Sequence, residues 1–286
     1  MKARSSLIPL VVLLSLALGA AAAEKSVFLI GNSLTWDTVP AKLDGDVQWH
    51  VDCGKSLPYI HANPEKPCVK ASTLWPKALS EKQYDMVSFQ SHYGATLEED
   101  FETISKWVGM QKEAEVVIHT GWARHATRDE EYASDATSGK MQHSQAYIRA
   151  LLDKLRKRFP GRVFRQTHAQ DLLAKVATDI EKGKAPFEKL EDIYRDAIHM
   201  NTVTGRYMMH NAMRHALGQS RSSAGFEKLD DKLKAYFDSV LDTLEGVRSR
   251  QVLSVRSSRR DRSARGGLKG KVGDVMREGF LVEIRT

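Results

Sequence analysis

The 286-residue chain is long enough for one large domain or two small ones with a sizeable core. Its net charge of +7 is localised: of 43 basic and 36 acidic residues, eleven and four fall at 248–286, leaving 32 of each sign in 1–247. The high isoelectric point therefore belongs to a tail, and it gives no ground for a nucleic-acid-binding surface on the rest of the chain.

The first 23 residues read as a processing signal. Lys2 and Arg4 precede an apolar run from Leu7 to Leu18, and Gly19 and a row of alanines follow. A basic start, a short apolar middle and Ala21-x-Ala23 predict a secretory signal peptide cut before Glu24, hence export to a periplasmic or extracellular space. The run is shorter than the roughly 20 residues of a spanning helix. In an oxidising compartment Cys53 and Cys68, fifteen apart, are expected to pair, the alternative being two free thiols. Without a supporting histidine pattern they make no zinc site, and no metal or cofactor is expected.

From Ser26 strand-like and helix-like segments alternate. Strands are predicted at Ser26–Ile30, Val47–Val51, Tyr84–Phe89, Glu115–His119 and Arg162–Arg165. Helices are predicted at Leu74–Leu79, Leu97–Lys112, Tyr147–Phe159, Leu172–Ile180, His199–Leu217 and Phe226–Val247. Residues 55–70, with Pro58, Pro64 and Pro67, and the polar stretch Ala123–Gly139 are read as loops. Strands separated by helices predict a parallel sheet of about five strands with helices on both faces, a doubly wound three-layer α/β/α domain over 24–247. At 248–286 the composition shifts to Arg, Ser and Gly. Ser249–Lys271 reads as disordered, and Phe280–Ile284 alternates like a strand without a visible partner. The tail is expected to be solvated, or to make weak contact with an acidic polymer or a membrane surface.

Ligands of open α/β sheets bind where strands end, so the strand ends carry the candidate chemistry. Phe28-Leu-Ile-Gly31-Asn-Ser33-Leu-Thr35 puts a hydroxyl just past the first strand, where Ser33 can serve as a nucleophile, a turn residue or a helix N-cap. An acyl-transfer site also needs a base, a group that orients it, and donors for an oxyanion. Asp196-Ala-Ile-His199 offers the base and its orienting carboxylate, or the N-cap and first turn of a helix. Gly54, after the second strand, lets a backbone N–H approach a ligand, or simply turns the chain. Gln90 and His92, after the third strand, carry side-chain donors or sit in a solvated loop. Tyr59, His61, Trp75 and Trp122 suit a sugar-lined cleft or the core.

Together these motifs resemble the SGNH, or GDSL-like, hydrolases over roughly residues 25–217. Gly31-Asn32-Ser33-Leu34-Thr35 is similar to their first motif, with Asn where many members have Asp. Gly54 is similar to their oxyanion glycine, and Asp196-x-x-His199 to the late pair that joins the serine; Asn201 and Gly205 continue it. The resemblance implies a flavodoxin-like sheet and a Ser33–His199–Asp196 triad. One departure stands out. The family's third motif supplies an oxyanion asparagine, whereas this chain reads Phe89-Gln90-Ser91-His92. Gln90 is longer by a methylene, and losing one donor typically costs about 10²–10³ in rate.

The implied function is an exported serine esterase acting on an acyl ester, acetyl among the candidates, of a small molecule or glycan. A non-catalytic binding module on the same fold and a glycan O-acyltransferase are the competing expectations.

Overall fold

The structure, a computed structural model, describes residues 24–135 and 137–244. The signal segment, the basic tail and the Phe280–Ile284 alternation lie outside the described residues.

Five short strands, β1 (Ser26–Gly31), β2 (Asp46–Val51), β3 (Met86–Phe89), β4 (Glu115–Ile118) and β5 (Phe164–Gln166), form one all-parallel sheet in the order β2-β1-β3-β4-β5. This is the flavodoxin-like order. Successive side chains of a strand face opposite ways, and β1 shows the result. Phe28 and Ile30 join the core on one side of the sheet, while Val27 and Leu29 join a cluster on the other. The first side is covered by α2 (Leu57–Ala62), α3 (Trp75–Glu81), α4 (Leu97–Met110) and α6 (Gln145–Arg158), which contribute Leu57, Trp75, Trp107 and Leu151 to its core. The opposite side is covered by α7 (Ala169–Glu181), α8 (Thr204–Leu217) and a helix at 231–244. Edge strand β2 is guarded by 69–73, where Val69 N–H and Thr73 N–H donate to the carbonyls of Val51 and Trp49.

Every predicted strand is present, with ends displaced by one or two residues. The corrections concern helices. Residues 55–70 hold α2, because Pro58 sits in its first turn, where a missing N–H costs nothing. The stretch 123–139 holds a 3₁₀ turn at His125–Thr127 and then α5 (Arg128–Ala133), whose first turn carries Asp129, Glu130 and Glu131 against the helix dipole. The helix predicted from Phe226 starts at 231. The one predicted from His199 starts at Thr204, because the Asn201 side chain accepts from the Val203 and Thr204 N–H groups and opens it there.

Cys53 and Cys68 are disulfide-bonded, closing a segment of sequence separation 15 that contains α2. Removing the bridge in the Cys53→Ser, Cys68→Ser variant is expected to lower unfolding stability by about 3 kcal/mol in the loop-entropy model. Denaturant titration against the oxidised wild type checks it.

Candidate functional site

In a sheet of order 2-1-3-4-5 the connections leaving β1 and β3 depart to opposite sides, and a crevice opens between them. Ser33 leaves from β1 and Gln90–His92 from β3. Gly31 is required at the strand end: a Cβ there would fall 2.1 Å from Thr35 Oγ1 and 2.8 Å from Gln90 Cβ. Asn32 is wholly buried and uses its whole amide. Its Oδ1 accepts from Leu34 N–H at 2.9 Å, capping the short helix α1 (Ser33–Trp36), and its Nδ2 donates to the Lys55 carbonyl at 3.3 Å. The first loop is thereby tied to the loop that carries Gly54. Ser33 is the first residue of α1, so its N–H has no helical partner.

Half-buried Ser33 meets His199 directly, with Oγ 2.8 Å from His199 Nε2. His199 Nδ1 lies 2.8 and 3.0 Å from the two Asp196 oxygens. A carboxylate only accepts, so it fixes the proton on Nδ1 and leaves Nε2 to accept from the serine hydroxyl. Asp196 Oδ1 also accepts from the N–H groups of Ile198 and His199, at 3.0 and 2.8 Å. Burial raises the Asp196 carboxyl, but these N–H groups and the imidazole outweigh it and hold it down to about 2. Asp196 is therefore ionised across the ordinary pH range. The Asp-x-x-His segment is a closed loop rather than a helix start, with a lone bridge between Tyr194 and Met200 and Arg195 N–H donating to the His199 carbonyl at 2.9 Å.

The loop is anchored by a residue the sequence did not single out. Asp37, at the end of α1, is fully buried. Its Oδ1 accepts from Arg195 Nη1 at 2.9 Å and pairs with Arg206 Nη2 at 2.7 Å, while Oδ2 accepts from Met200 N–H at 2.8 Å. One carboxylate thus joins the helix that starts with Ser33, the loop that carries His199 and the first turn of α8. Gly205 completes the fit, since a Cβ there would fall 2.3 Å from the Ile193 carbonyl oxygen and 2.7 Å from Met200 Sδ. The signal available in sequence was only the placement of Asp37 four residues after Ser33 and of Arg195 beside Asp196.

The same loop is braced from the end of β4. Trp122 Nε1 donates to the Ile198 carbonyl at 2.6 Å, His125 N–H to the Ala197 carbonyl at 3.2 Å, and Tyr194 OH to the Ala123 carbonyl at 3.2 Å. Trp122 has no exposed surface, so it is a strut and not a cleft wall. Trp75 is likewise core, its Nε1 donating to the Ile60 carbonyl at 3.1 Å and its ring stacked on His61. Of the four aromatic candidates Tyr59 is the exposed one, at 39%.

Gln90 and His92 differ in what they offer. Asn32 N–H only donates, so the Gln90 atom 3.1 Å from it is Oε1, which Thr35 Oγ1 also approaches at 3.3 Å. Nε2 then donates to the Ser91 carbonyl. The Gln90 amide holds the first and third loops together. His92 is buried, with its Nδ1 lacking a protein partner, and its ring lies against Tyr93 and His143. Burial first, then the nearby His143, Arg124 and His199, depress it to about 3 against the pull of Glu131. It stays neutral, with one N–H to donate. Gly54 has φ +68°, and a Cβ there would meet nothing within 4 Å, so backbone conformation is what calls for glycine. Among the described residues no group of three or more His, Cys, Asp or Glu is placed to hold a metal ion, and no helix is long and apolar enough to cross a membrane.

No family model and no curated protein matches the sequence. Solved structures that resemble it include a protein assigned as a GDSL-like lipase from Parabacteroides merdae, at 13% identity and TM-score 0.41, covering 68% of this chain and 96% of that one. A carbohydrate esterase of family 3 from Talaromyces cellulolyticus aligns at 10% identity and TM-score 0.40 over the same shares. A salicylyl-acyltransferase from a tetracycline biosynthetic pathway aligns at 13% identity and TM-score 0.40, over 73% of this chain and 57% of that one. What those proteins act on belongs to them; the fold assignment rests on this chain's own strand order.

Removing one member of a buried ion cluster leaves its partners uncompensated. Asp37→Ala is expected to cost about 3 kcal/mol of unfolding stability, whereas Asp196→Ala, at an exposed carboxylate, costs under about 1 kcal/mol. Thermal and denaturant unfolding of the two variants side by side checks the contrast.

Proposed function

We propose that the chain is a serine esterase that removes an acyl group, acetyl foremost, from a hydroxyl of a small molecule or glycan. The observation that carries this reading is the unbroken line from the Asp196 carboxylate through both nitrogens of His199 to Ser33 Oγ, with 2.8 Å at each contact. Serine is a weak nucleophile at its ordinary pKa and needs such a base.

In the proposed reaction Ser33 Oγ attacks the acyl carbon while His199 Nε2 takes the hydroxyl proton. Asp196 holds the imidazole in its tautomer and favours the imidazolium that results. The oxyanion accepts from the N–H groups of Ser33 and Gly54. As the tetrahedral species collapses, the ester C–O bond breaks and His199 returns its proton to the leaving alcohol. Water then attacks the acyl-serine, giving its proton to His199, and the free acid departs as Ser33 is reprotonated.

His92 is the third oxyanion donor in this reading, and Gln90 is not. The Gln90 amide is engaged by Asn32, Thr35 and Ser91, whereas neutral His92 keeps an N–H to give. The absent third-motif asparagine is then replaced by a histidine two residues after Gln90. Residues 1–23 are proposed to direct export, 24–247 to form the hydrolase, and the basic tail at 248–286 to be solvated or to touch an acidic polymer or membrane surface weakly.

Steady-state hydrolysis of a generic aryl acetate tests the assignment. Ser33→Ala and His199→Ala should each lower kcat by at least about 10³-fold. His92→Ala should lower it about 10²-fold with little change in KM. An aryl acetate turned over equally by wild type and Ser33→Ala would overturn the reading in favour of a binding module.

A further inference from the structure

The loop that braces His199 from the β4 side carries a cation for which the proposed reaction has no use. Arg124 lies between Ala123, whose carbonyl accepts from Tyr194, and His125, whose N–H donates to Ala197. It is therefore fixed beside the Asp196–His199 loop. Its side chain is exposed, with the guanidinium carbon 5.1 Å from the centroid of the Tyr93 ring. Tyr93 is held in turn, its hydroxyl donating to Glu131 at 2.8 Å. That carboxylate is buried and also accepts from Thr127 Oγ1 at 2.6 Å.

The other arginines on this side of the molecule are engaged. Arg195 and Arg206 pair with Asp37, and Arg128 pairs with Asp129. Among the described residues no carboxylate lies within 4 Å of the Arg124 guanidinium. The charge nonetheless stands beside the site, because the Tyr93 ring it lies over is in contact with the His92 ring. A guanidinium held over the face of an aromatic ring keeps its N–H fork open, and that fork matches a carboxylate through two parallel hydrogen bonds.

We propose that Arg124 is a specificity-determining residue that binds a carboxylate of the substrate, so that the ester hydrolysed at Ser33 is borne by an anionic molecule such as an acylated uronic acid. The proposal rests on the reading of Ser33 as the acylated residue. Tyr93 and the Glu131 carboxylate beneath it act as positioning residues that hold the guanidinium over the rim. After β2, which lies across β1 from β4, the Lys55 ammonium is 4.4 Å from the Tyr59 ring centroid.

The test uses two sugars that differ in one group, a methyl O-acetyl-glucuronoside and the matching methyl O-acetyl-glucoside. Binding to the Ser33→Ala protein is followed by NMR titration at low salt, and kcat/KM is measured on wild-type and Arg124→Ala enzymes. The uronate should bind and react about fivefold to tenfold better than the glucoside. That ratio should fall to about one in Arg124→Ala, stay partly intact in Arg124→Lys, and shrink at 0.5 M salt. Equal binding of the two sugars, no binding of the uronate, or a preference that survives Arg124→Ala would each overturn the proposal. Absence of hydrolysis with wild type would instead overturn the esterase reading, and the Ser33→Ala titration would still decide the role of Arg124.

Discussion

The site depends on one buried carboxylate. Ser33 and His199 are 166 positions apart, yet their side chains meet at 2.8 Å. A contact between the first residue of α1 and a loop side chain holds only if the helix and the loop cannot drift apart. Asp37 supplies that constraint by accepting from Arg195, Arg206 and Met200 N–H while fully buried. An isolated carboxylate in that position would cost several kcal/mol. Two guanidiniums and a backbone N–H offset the cost and tie α1 to the His199 loop and α8. What the cluster contributes is placement more than stability. Gly205 and Trp122 serve the same end, the first by letting α8 close on the loop and the second by bracing it from β4.

The fold, and the residues that meet as Ser33, His199 and Asp196 in the candidate site, could be read from the sequence. β1 and β4 are continuous apolar runs, as strands buried on both faces must be, and the strand–helix alternation implies a parallel sheet. Ser33, Gly54 and the Asp196–His199 pair stand at strand ends or in short local motifs, so their character shows in a few neighbouring residues. The Asp37 cluster does not, because its arginines come from 158 and 169 positions away and nothing local distinguishes them from surface charges. The same limit applied to Trp122, whose strut role is set by a carbonyl 76 positions on. The helix at Leu57–Ala62 was missed for a different reason. Pro58 signals a break inside a helix but is neutral in its first turn.

Gln90 and His92 show how burial redistributes roles. A free amide and a free imidazole are both adequate donors, and spacing alone favours neither. Folding gives Gln90 three partners that use its oxygen and its amino group. It buries His92 against Tyr93 and His143, and burial above all, with Arg124 nearby, keeps the ring neutral down to about 3. A neutral imidazole is a weaker donor than an imidazolium, but it brings no positive charge into the site that would oppose the imidazolium His199 becomes in the proposed reaction. The proposed exchange of asparagine for histidine therefore depends on the depressed pKa.

Mapping the site of covalent attack tests the central claim most directly. The full chain is treated with a fluorophosphonate probe, digested, and searched by mass spectrometry for the modified peptide. A single phosphonylated residue at Ser33, lost in His199→Ala under the same exposure, is the predicted result. An unmodified Ser33 after prolonged exposure of folded protein, or labelling that proceeds equally without His199, would contradict it.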